Sequence, residues 1–211
     1  VGENRVFVWS KYIGAEIDAG RDDKALAVMD RAQSAIPNRK EFKNRVEWFM
    51  RAVEKDHHLY DRELELADRA EKVLTGDAER KEIRKWRTTI FRIESQKRLK
   101  GHDPVGSLQV LARAAESNVD EGQLKQGLEY HLAEAFGEIY ERGGSSGVKD
   151  HYREVIAKFP NEQRTAGNIV CSHAKRVTDK LTREKRYTEA LDVAGEYADL
   201  SGDRGTELRA W

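Results

Sequence analysis

The chain repeats one pattern of small and apolar residues five times. In the first copy, Ala25, Leu26, Met29 and Ala32 occupy offsets 0, 1, 4 and 7, which lie on one face of an α-helix. The same offsets recur four more times. We call the first residue of each copy its anchor, and the five anchors are Ala25, Glu63, Ser107, Val148 and Ala190. Successive anchors are 38, 44, 41 and 42 residues apart, which predicts five copies of one structural unit.

A longer amphipathic segment precedes each anchor stripe. We place these segments at about 5–19, 40–58, 78–100, 121–142 and 161–184. Each unit is therefore predicted to be a helical hairpin, with glycines in three of the turns, at Gly20, Gly101 and Gly143–Gly144. No stretch sustains an alternation of period two, so essentially no strand is expected.

Start signals and small residues support these hairpins. Asp103 and Pro104 suit the start of a helix, because an Asp oxygen accepts orphan amide protons and proline has none to leave unpaired. Alanine and serine recur in the stripes because neighbouring helices approach closely there. A larger side chain would overpack such a contact by about 1–3 kcal/mol.

The anchor stripe resembles the second helix of the tetratricopeptide repeat. Ala25, Met29, Ala32 and Pro37 match that family's small, large, small and proline positions in order. Looser matches occur at Val148–Tyr152–Val155–Pro160 and at Ala190–Ala194–Tyr197. The first helices match less well, and the spacing near 41 exceeds the family's roughly 34 residues.

The resemblance implies an all-α fold. We expect a right-handed superhelical solenoid of about five antiparallel hairpins, hence about ten helices. One domain would cover residues 1–211, with repeats at roughly 1–38, 39–76, 77–118, 119–160 and 161–202. Residues 203–211 would start a further helix, and the chain is expected to continue beyond its printed ends.

Composition restricts the partners. Lys plus Arg equals Asp plus Glu, at 38 each, so no net field draws the chain to nucleic acid or anionic lipid. Apolar runs fall far short of the roughly 20 residues of a membrane helix, and we expect a soluble chain without a membrane span. The sequence does not specify the cellular compartment. The stretch 152–166 resembles bacterial envelope repeats of the family, which allows export to that compartment.

Residues with catalytic or metal-binding side chains form no complete motif. Glu54 and His57 are half of a di-iron signature whose second half is missing, and His57–His58 suits a turn. His131 and Asp150–His151 are interpreted as polar surface or groove residues, and Cys171 as a buried small residue. We therefore expect no enzyme activity, cofactor or metal.

The segment 79–100 carries a net charge of +6 and is the first candidate for partner binding. In stacked hairpins the first helices line the concave groove, so part of this charge would face a partner. Trp86 lies beside Arg87, a composition typical of protein interfaces. The candidate residues are Arg84, Trp86, Arg87 and Arg92, although core packing of the aromatics and solvation of the charges explain them too.

A polar stripe on the fifth long segment is the second candidate. Arg164, Asn168, Ser172 and Lys175 follow one another at spacings of four, four and three. Some members of the family hold a peptide's terminal carboxylate with Lys and Asn side chains on first helices. This stripe resembles that arrangement in residue type, which makes Arg164, Asn168 and Lys175 candidate partner-binding residues.

The sequence thus predicts a non-catalytic scaffold or assembly factor. It would bind a protein partner, such as subunits of a larger complex, through its groove. It would also form homo-oligomers by stacking its open repeat ends. Nucleic-acid binding through the basic segment 79–100 is the alternative, and it would weaken steeply with salt.

Overall fold

The computed structural model describes residues 2–35, 60–73 and 76–200, and the repeated period is realised there as helices and short turns. No strand occurs within these ranges, as predicted. The all-α class is therefore confirmed. In chain order the helices are α1 (Gly2–Asp18), α2 (Asp22–Ala35), α3 (Tyr60–Val73), α4 (Asp77–Lys100), α5 (Pro104–Ala115), α6 (Glu121–Lys158), α7 (Gln163–Arg183) and α8 (Tyr187–Ala198), with a 3-10 turn at Pro160–Glu162 between α6 and α7.

The chain divides into two compact units. The first covers Val1–Ile90, and in it α1 packs against α2. The second covers Phe91–Trp211, where α5 packs against α6, α6 against α7, and α7 against α8. In the second unit, helices adjacent in the chain are thus also adjacent in space. The single solenoid domain, its handedness and its hairpin count remain predictions.

Three of the predicted long segments correspond closely to helices. Segments 5–19, 78–100 and 161–184 correspond to α1, α4 and α7. The segment 40–58 and the predicted helix at 203–211 lie outside the described residues. The segment 121–142 begins where α6 begins, but α6 extends to Lys158 and contains one non-helical residue, Gly144, with φ 58° and ψ −157°.

Gly144 makes α6 double back. The Nε2 atoms of His131 and His151 are 2.9 Å apart, although twenty residues of straight helix would separate them by about 30 Å. Residues 121–143 and 145–158 are therefore two segments that pack against each other. The predicted turn at Gly143–Gly144 is where the chain reverses, because glycine adopts positive φ without the steric cost of a Cβ.

The other described turns differ in which residue takes the left-handed conformation. Gly20 does so after α1 with φ 65°, but after α4 the residue is His102, with φ 62°, next to the glycine expected there. Lys185 takes the role after α7, with φ 61°. Gly101 thus predicted where the turn lies, but the residue in the left-handed conformation is its neighbour His102.

The predicted start of α5 is confirmed in atomic detail. The Asp103 carboxylate accepts a hydrogen bond from the Gly106 amide at 2.8 Å, and Pro104 is the first helical residue. Asp120 caps α6 in the same way, accepting from the Gln123 amide at 3.0 Å. Each oxygen satisfies an amide that has no partner inside its helix.

The anchor stripes supply much of the interior. Nearly every described stripe position is buried, which is what a close helix contact requires. Leu191, 62% exposed, is the clearest departure, and Lys149 is partly exposed. The buried members are Ala25, Ala32, Glu63, Leu64, Ala67, Ser107, Leu108, Leu111, Ala114, Val148, Tyr152, Val155, Ala190, Ala194 and Tyr197.

Candidate functional site

The candidate residues on α4 differ in accessibility. In the first unit Arg84 is exposed, Trp86 is half-buried, and Arg87 is only 4% exposed. In the second unit Arg92 is exposed, and its Cγ lies 4.0 Å from the position that a Cβ on Gly127 of α6 would occupy. Arg84 and Arg92 are therefore available to a partner, whereas Arg87 is directed into the protein.

Arg87 joins α4 to α3. Its Nη2 donates to Asp68 Oδ1 at 2.8 Å and to Glu71 Oε2 at 2.7 Å. Arg87 lies twenty residues before its anchor, where the later repeats place the buried Leu128 and Val170. An arginine at a core position needs anionic partners because burying an unpaired charge is costly. Its Trp neighbour in sequence suggested an interface, but its contacts are intramolecular.

The candidates on α7 lie along one exposed face. Arg164, Asn168 and Ser172 are exposed and Lys175 is half-buried. Ser172 Oγ donates to the Asn168 carbonyl at 2.9 Å, a local bond that leaves the Asn168 side chain free of it. The predicted polar stripe is thus present on the surface of the second unit.

Counting back from the anchors matches positions of this stripe with equivalent positions on other helices. Lys175 and Arg92 both lie fifteen residues before their anchors, and Ser172 and Tyr130 both lie eighteen before theirs. Tyr130 of α6 is 42% exposed. Sequence reasoning missed Tyr130, yet the shared distance from the anchor was a signal that could have found it. We call Arg92, Tyr130, Arg164, Asn168 and Lys175 the cationic face.

A buried polar chain is the second feature that the motifs did not reveal. Ser95 Oγ lies 2.7 Å from Ser107 Oγ, and Ser107 Oγ lies 2.9 Å from His131 Nδ1. His131 Nε2 then contacts His151 Nε2. The chain connects α4, α5 and both segments of α6. At most one proton lies between the facing Nε2 atoms of His131 and His151, so one imidazole donates the hydrogen bond and the other accepts it.

The expectation that His131 and His151 are surface or groove residues is wrong. They are 0% and 5% exposed. Burial lowers the pKa of His131 to about 3, with the neighbouring His151 adding to the effect, and burial lowers the pKa of His151 to about 4. Both imidazoles are therefore neutral at pH 7. The local sequence does not indicate that these histidines are buried, because their contact joins residues twenty apart through the turn at Gly144.

A third histidine is buried on α7. His173 is 4% exposed, and its ring lies near the rings of Phe136, Tyr140 and Tyr197, with centroids 5.7 to 6.1 Å away. Its Nε2 is buried and has no hydrogen-bond partner in the described ranges. Burial lowers its pKa to about 4, with a further contribution from Arg176. His173 therefore packs as a neutral aromatic ring.

The Ser107–His131 contact has the spacing of a nucleophile and its base, but not the access. Both residues are 0% exposed, so a substrate cannot reach the hydroxyl without opening the core. Cys171 is also buried, at 1% exposure, as predicted. Residues 2–35, 60–73 and 76–200 contain no group of three or more His, Cys, Asp or Glu side chains placed to hold a metal ion. The candidates Glu54, His57 and His58 lie outside those ranges.

None of the described helices combines the length and the apolar character that crossing a bilayer requires.

Comparison of the chain with protein-family models, with curated proteins and with solved structures gave no match in any of the three. The tetratricopeptide resemblance therefore stays a prediction from the residues.

Proposed function

We propose that this protein is a non-catalytic scaffold that binds a partner protein through the cationic face of stacked helical hairpins. The observation that supports it best is the shared register of the buried stripes. Most stripe residues of the described helices are buried at the same offsets from their anchors, and α1 packs on α2, α5 on α6, α6 on α7 and α7 on α8. Such series of near-identical units form tetratricopeptide-like solenoids, whose use is an extended binding surface.

The charge of the face suggests the class of partner. Arg92 of α4 and Arg164 of α7 carry exposed positive charges, and Tyr130 of α6 adds an exposed aromatic ring. Arginine and tyrosine are the side chains that dominate binding energy at protein interfaces. An acidic segment of a partner protein, including a terminal carboxylate near Asn168, fits this combination.

Arg87 belongs to the framework of the scaffold in this proposal. Its guanidinium is occupied by Asp68 and Glu71, so replacing it would disturb the α3–α4 contact before any partner was affected. Arg84 and Trp86 remain candidates on the first unit, where they are exposed and half-buried.

Nucleic-acid binding through α4 is the weaker alternative. Three of its basic residues are engaged by carboxylates within the chain: Lys85 with Glu82, Arg87 with Asp68 and Glu71, and Arg98 with Glu94 and Asp103. Paired cations have less charge to offer a phosphate backbone.

The test is affinity capture from a native extract with matched double variants. Arg92→Ala with Arg164→Ala removes two charges from the cationic face. Arg113→Ala with Lys158→Ala removes two exposed charges from second helices and serves as the control. Proteins captured by the wild type and the control but lost with the first variant would support the face. Equal capture by all three would overturn it, and capture of DNA or RNA that declines steeply with salt would favour the alternative.

A further inference from the structure

A single residue separates the two segments of α6. Gly144 alone among the residues of this helix has non-helical backbone angles, φ 58° and ψ −157°, at the edge of a region that glycine occupies almost exclusively. A Cβ added at Gly143 or at Gly144 meets no atom within 4 Å, so the constraint at Gly144 is its backbone conformation and not a lack of space. Rotating this one residue into the helical region would turn α6 into one straight helix about 57 Å long.

The contacts that close this hairpin join side chains before Gly144 to side chains after it. His131 contacts His151, and the ring of Phe136 lies edge-on to His151. Phe136 also lies against His173 of α7, with 6.1 Å between the ring centroids. The same surfaces meet whether the residues after Gly144 come from the same molecule or from another. A second copy of this chain therefore fits the first without any new surface.

A short, constrained connection favours such an exchange between molecules. The hairpin holds Gly144 in a conformation that the straight helix does not need. Two effects oppose the straight form: glycines and serines at 143–147 are poor helix formers, and pairing two molecules costs translational freedom. The balance between the two forms should therefore depend on protein concentration and on the residue at position 144.

We propose that two copies of this chain exchange the part that follows Gly144 by straightening α6. Residues 91–143 of each copy then pack against residues 145–200 of the other. Each copy gives one such part and receives one, so the product is a closed, symmetric dimer. The exchange takes place within the second unit and does not use the cationic face. It adds a second copy of the chain to the partners of the proposed scaffold.

Three variants change the hinge in different ways. Gly144→Ala penalises the hairpin and favours the straight helix. Gly143→Ala is the matched control, because Gly143 is helical in both forms and its Cβ would lie in open space. Insertion of Gly-Ser-Gly-Ser between Gly144 and Ser145 lengthens the connection, which relaxes the hairpin and disfavours exchange. Each protein is unfolded in urea and refolded at low and at high concentration, and sedimentation velocity measures the dimer fraction.

Chemical cross-linking distinguishes an exchanged dimer from two hairpins lying side by side. Lys125 Nζ lies 3.0 Å from Glu162 Oε2, and these residues flank Gly144. A carbodiimide links such an amine to its carboxylate, and mass spectrometry identifies the linked peptides. When isotope-labelled and unlabelled copies are refolded together, exchange links Lys125 of one copy to Glu162 of the other. The pair of Lys149 and Glu196, 3.2 Å apart, lies wholly after Gly144 and should always be linked within one copy.

The expected dimer of the wild type carries mixed-isotope links between Lys125 and Glu162, and the monomer carries none. Gly144→Ala should raise the association constant at least about tenfold, whereas Gly143→Ala should leave it unchanged. The insertion should abolish the mixed links. Replacing Arg92 and Arg164 by Ala should not change the dimer fraction, so this proposal and the cationic face can fail separately.

A wild type without mixed links at the highest concentration would overturn the exchange, as would a dimer whose links all lie within one copy. An equal rise of the association constant in Gly143→Ala and Gly144→Ala would overturn the role of the hinge. If Gly144→Ala fails to refold, the insertion decides. Mixed links that it abolishes support the exchange, and mixed links that it leaves unchanged contradict it.

Discussion

The two units bury polar groups in opposite ways. The first unit buries a charge: Arg87 is 4% exposed and is neutralised by Asp68 and Glu71 across the α3–α4 contact. The second unit buries neutral groups: two serines and two histidines form a chain of hydrogen bonds from Ser95 to His151. An ion pair depends on both partners keeping their charge, whereas the neutral chain depends on its histidines staying unprotonated. The two units should therefore respond differently to pH and to substitution.

Mild acid should produce the largest difference in stability between the two units. The unfolded chain protonates its histidines near pH 6.5, but burial lowers the pKa values of His131, His151 and His173 to about 3, 4 and 4. Between these values the unfolded state binds more protons, so stability falls as the pH falls. From pH 7 to pH 5 each imidazole should cost the second unit about 2 kcal/mol.

Hydrogen exchange at pH 7 and pH 5, corrected for the intrinsic exchange rate and resolved by peptide, measures this loss by region. The described part of the first unit, residues 2–35, 60–73 and 76–90, contains no histidine and is the internal control. Arg21 donates to Glu16 and holds the pKa of that carboxyl below its ordinary value, so this contact is lost only in stronger acid than an unpaired glutamate needs. Equal loss of protection in both units would contradict the comparison.

Removing the anions around Arg87 should produce the next largest effect. The double change Asp68→Asn and Glu71→Gln removes both carboxylates that pair with the buried guanidinium, and we expect the free energy of unfolding in urea to fall by about 3 kcal/mol. Adding Arg87→Met should recover most of it, because no buried charge remains.

Glu82→Gln is the control for that experiment. It removes a carboxylate from the half-exposed pair with Lys85, whose atoms are 3.4 Å apart, and should cost under about 0.5 kcal/mol. If the triple variant proved less stable than the double variant, Arg87 would contribute mainly through packing of its side chain.

Interrupting the series of hydrogen bonds from Ser95 to His151 should lower the stability by a smaller amount. Ser107→Ala removes the hydroxyl that contacts both Ser95 and His131, and the buried groups left unpaired should cost about 1–3 kcal/mol. Ser172→Ala is the matched control, because that exposed hydroxyl only donates to the backbone of its own helix. Urea unfolding of the two variants should differ by at least about 1 kcal/mol. Equal stabilities would mean that water replaces the lost contacts.

The smallest predicted effect concerns a helix start in the second unit. Asp103→Ala leaves the Gly106 amide without its acceptor and should cost about 1 kcal/mol. Asp150→Ala removes an exposed carboxylate that pairs with Arg153 at 3.0 Å, and should cost clearly less. Thermal unfolding followed by circular dichroism would compare them. A cost for Asp150 as large as that for Asp103 would contradict a specific capping role.

Sequence reasoning located elements well and contacts poorly. The buried positions of the stripes that start at Ala25 and Ser107 were predictable because burial follows the helical period within a few residues. Arg87 was predicted to face a partner, but it donates to carboxylates of α3. The local sequence around a charged residue does not distinguish these two cases. Tyr130 became a candidate only once its exposure was known.

The sequence by itself determined the all-α class, most of the described helix boundaries and the buried stripes. These depend on interactions between residues at most a few turns apart, which the spacing of side chains records directly. Only the tertiary structure decided that α6 doubles back to bring His131 onto His151, that Arg87 is neutralised by α3, and that Val8 and Leu191 are left exposed. Each of these depends on which distant helix, or none, covers a given side chain, and a residue's neighbours in sequence do not contain that information.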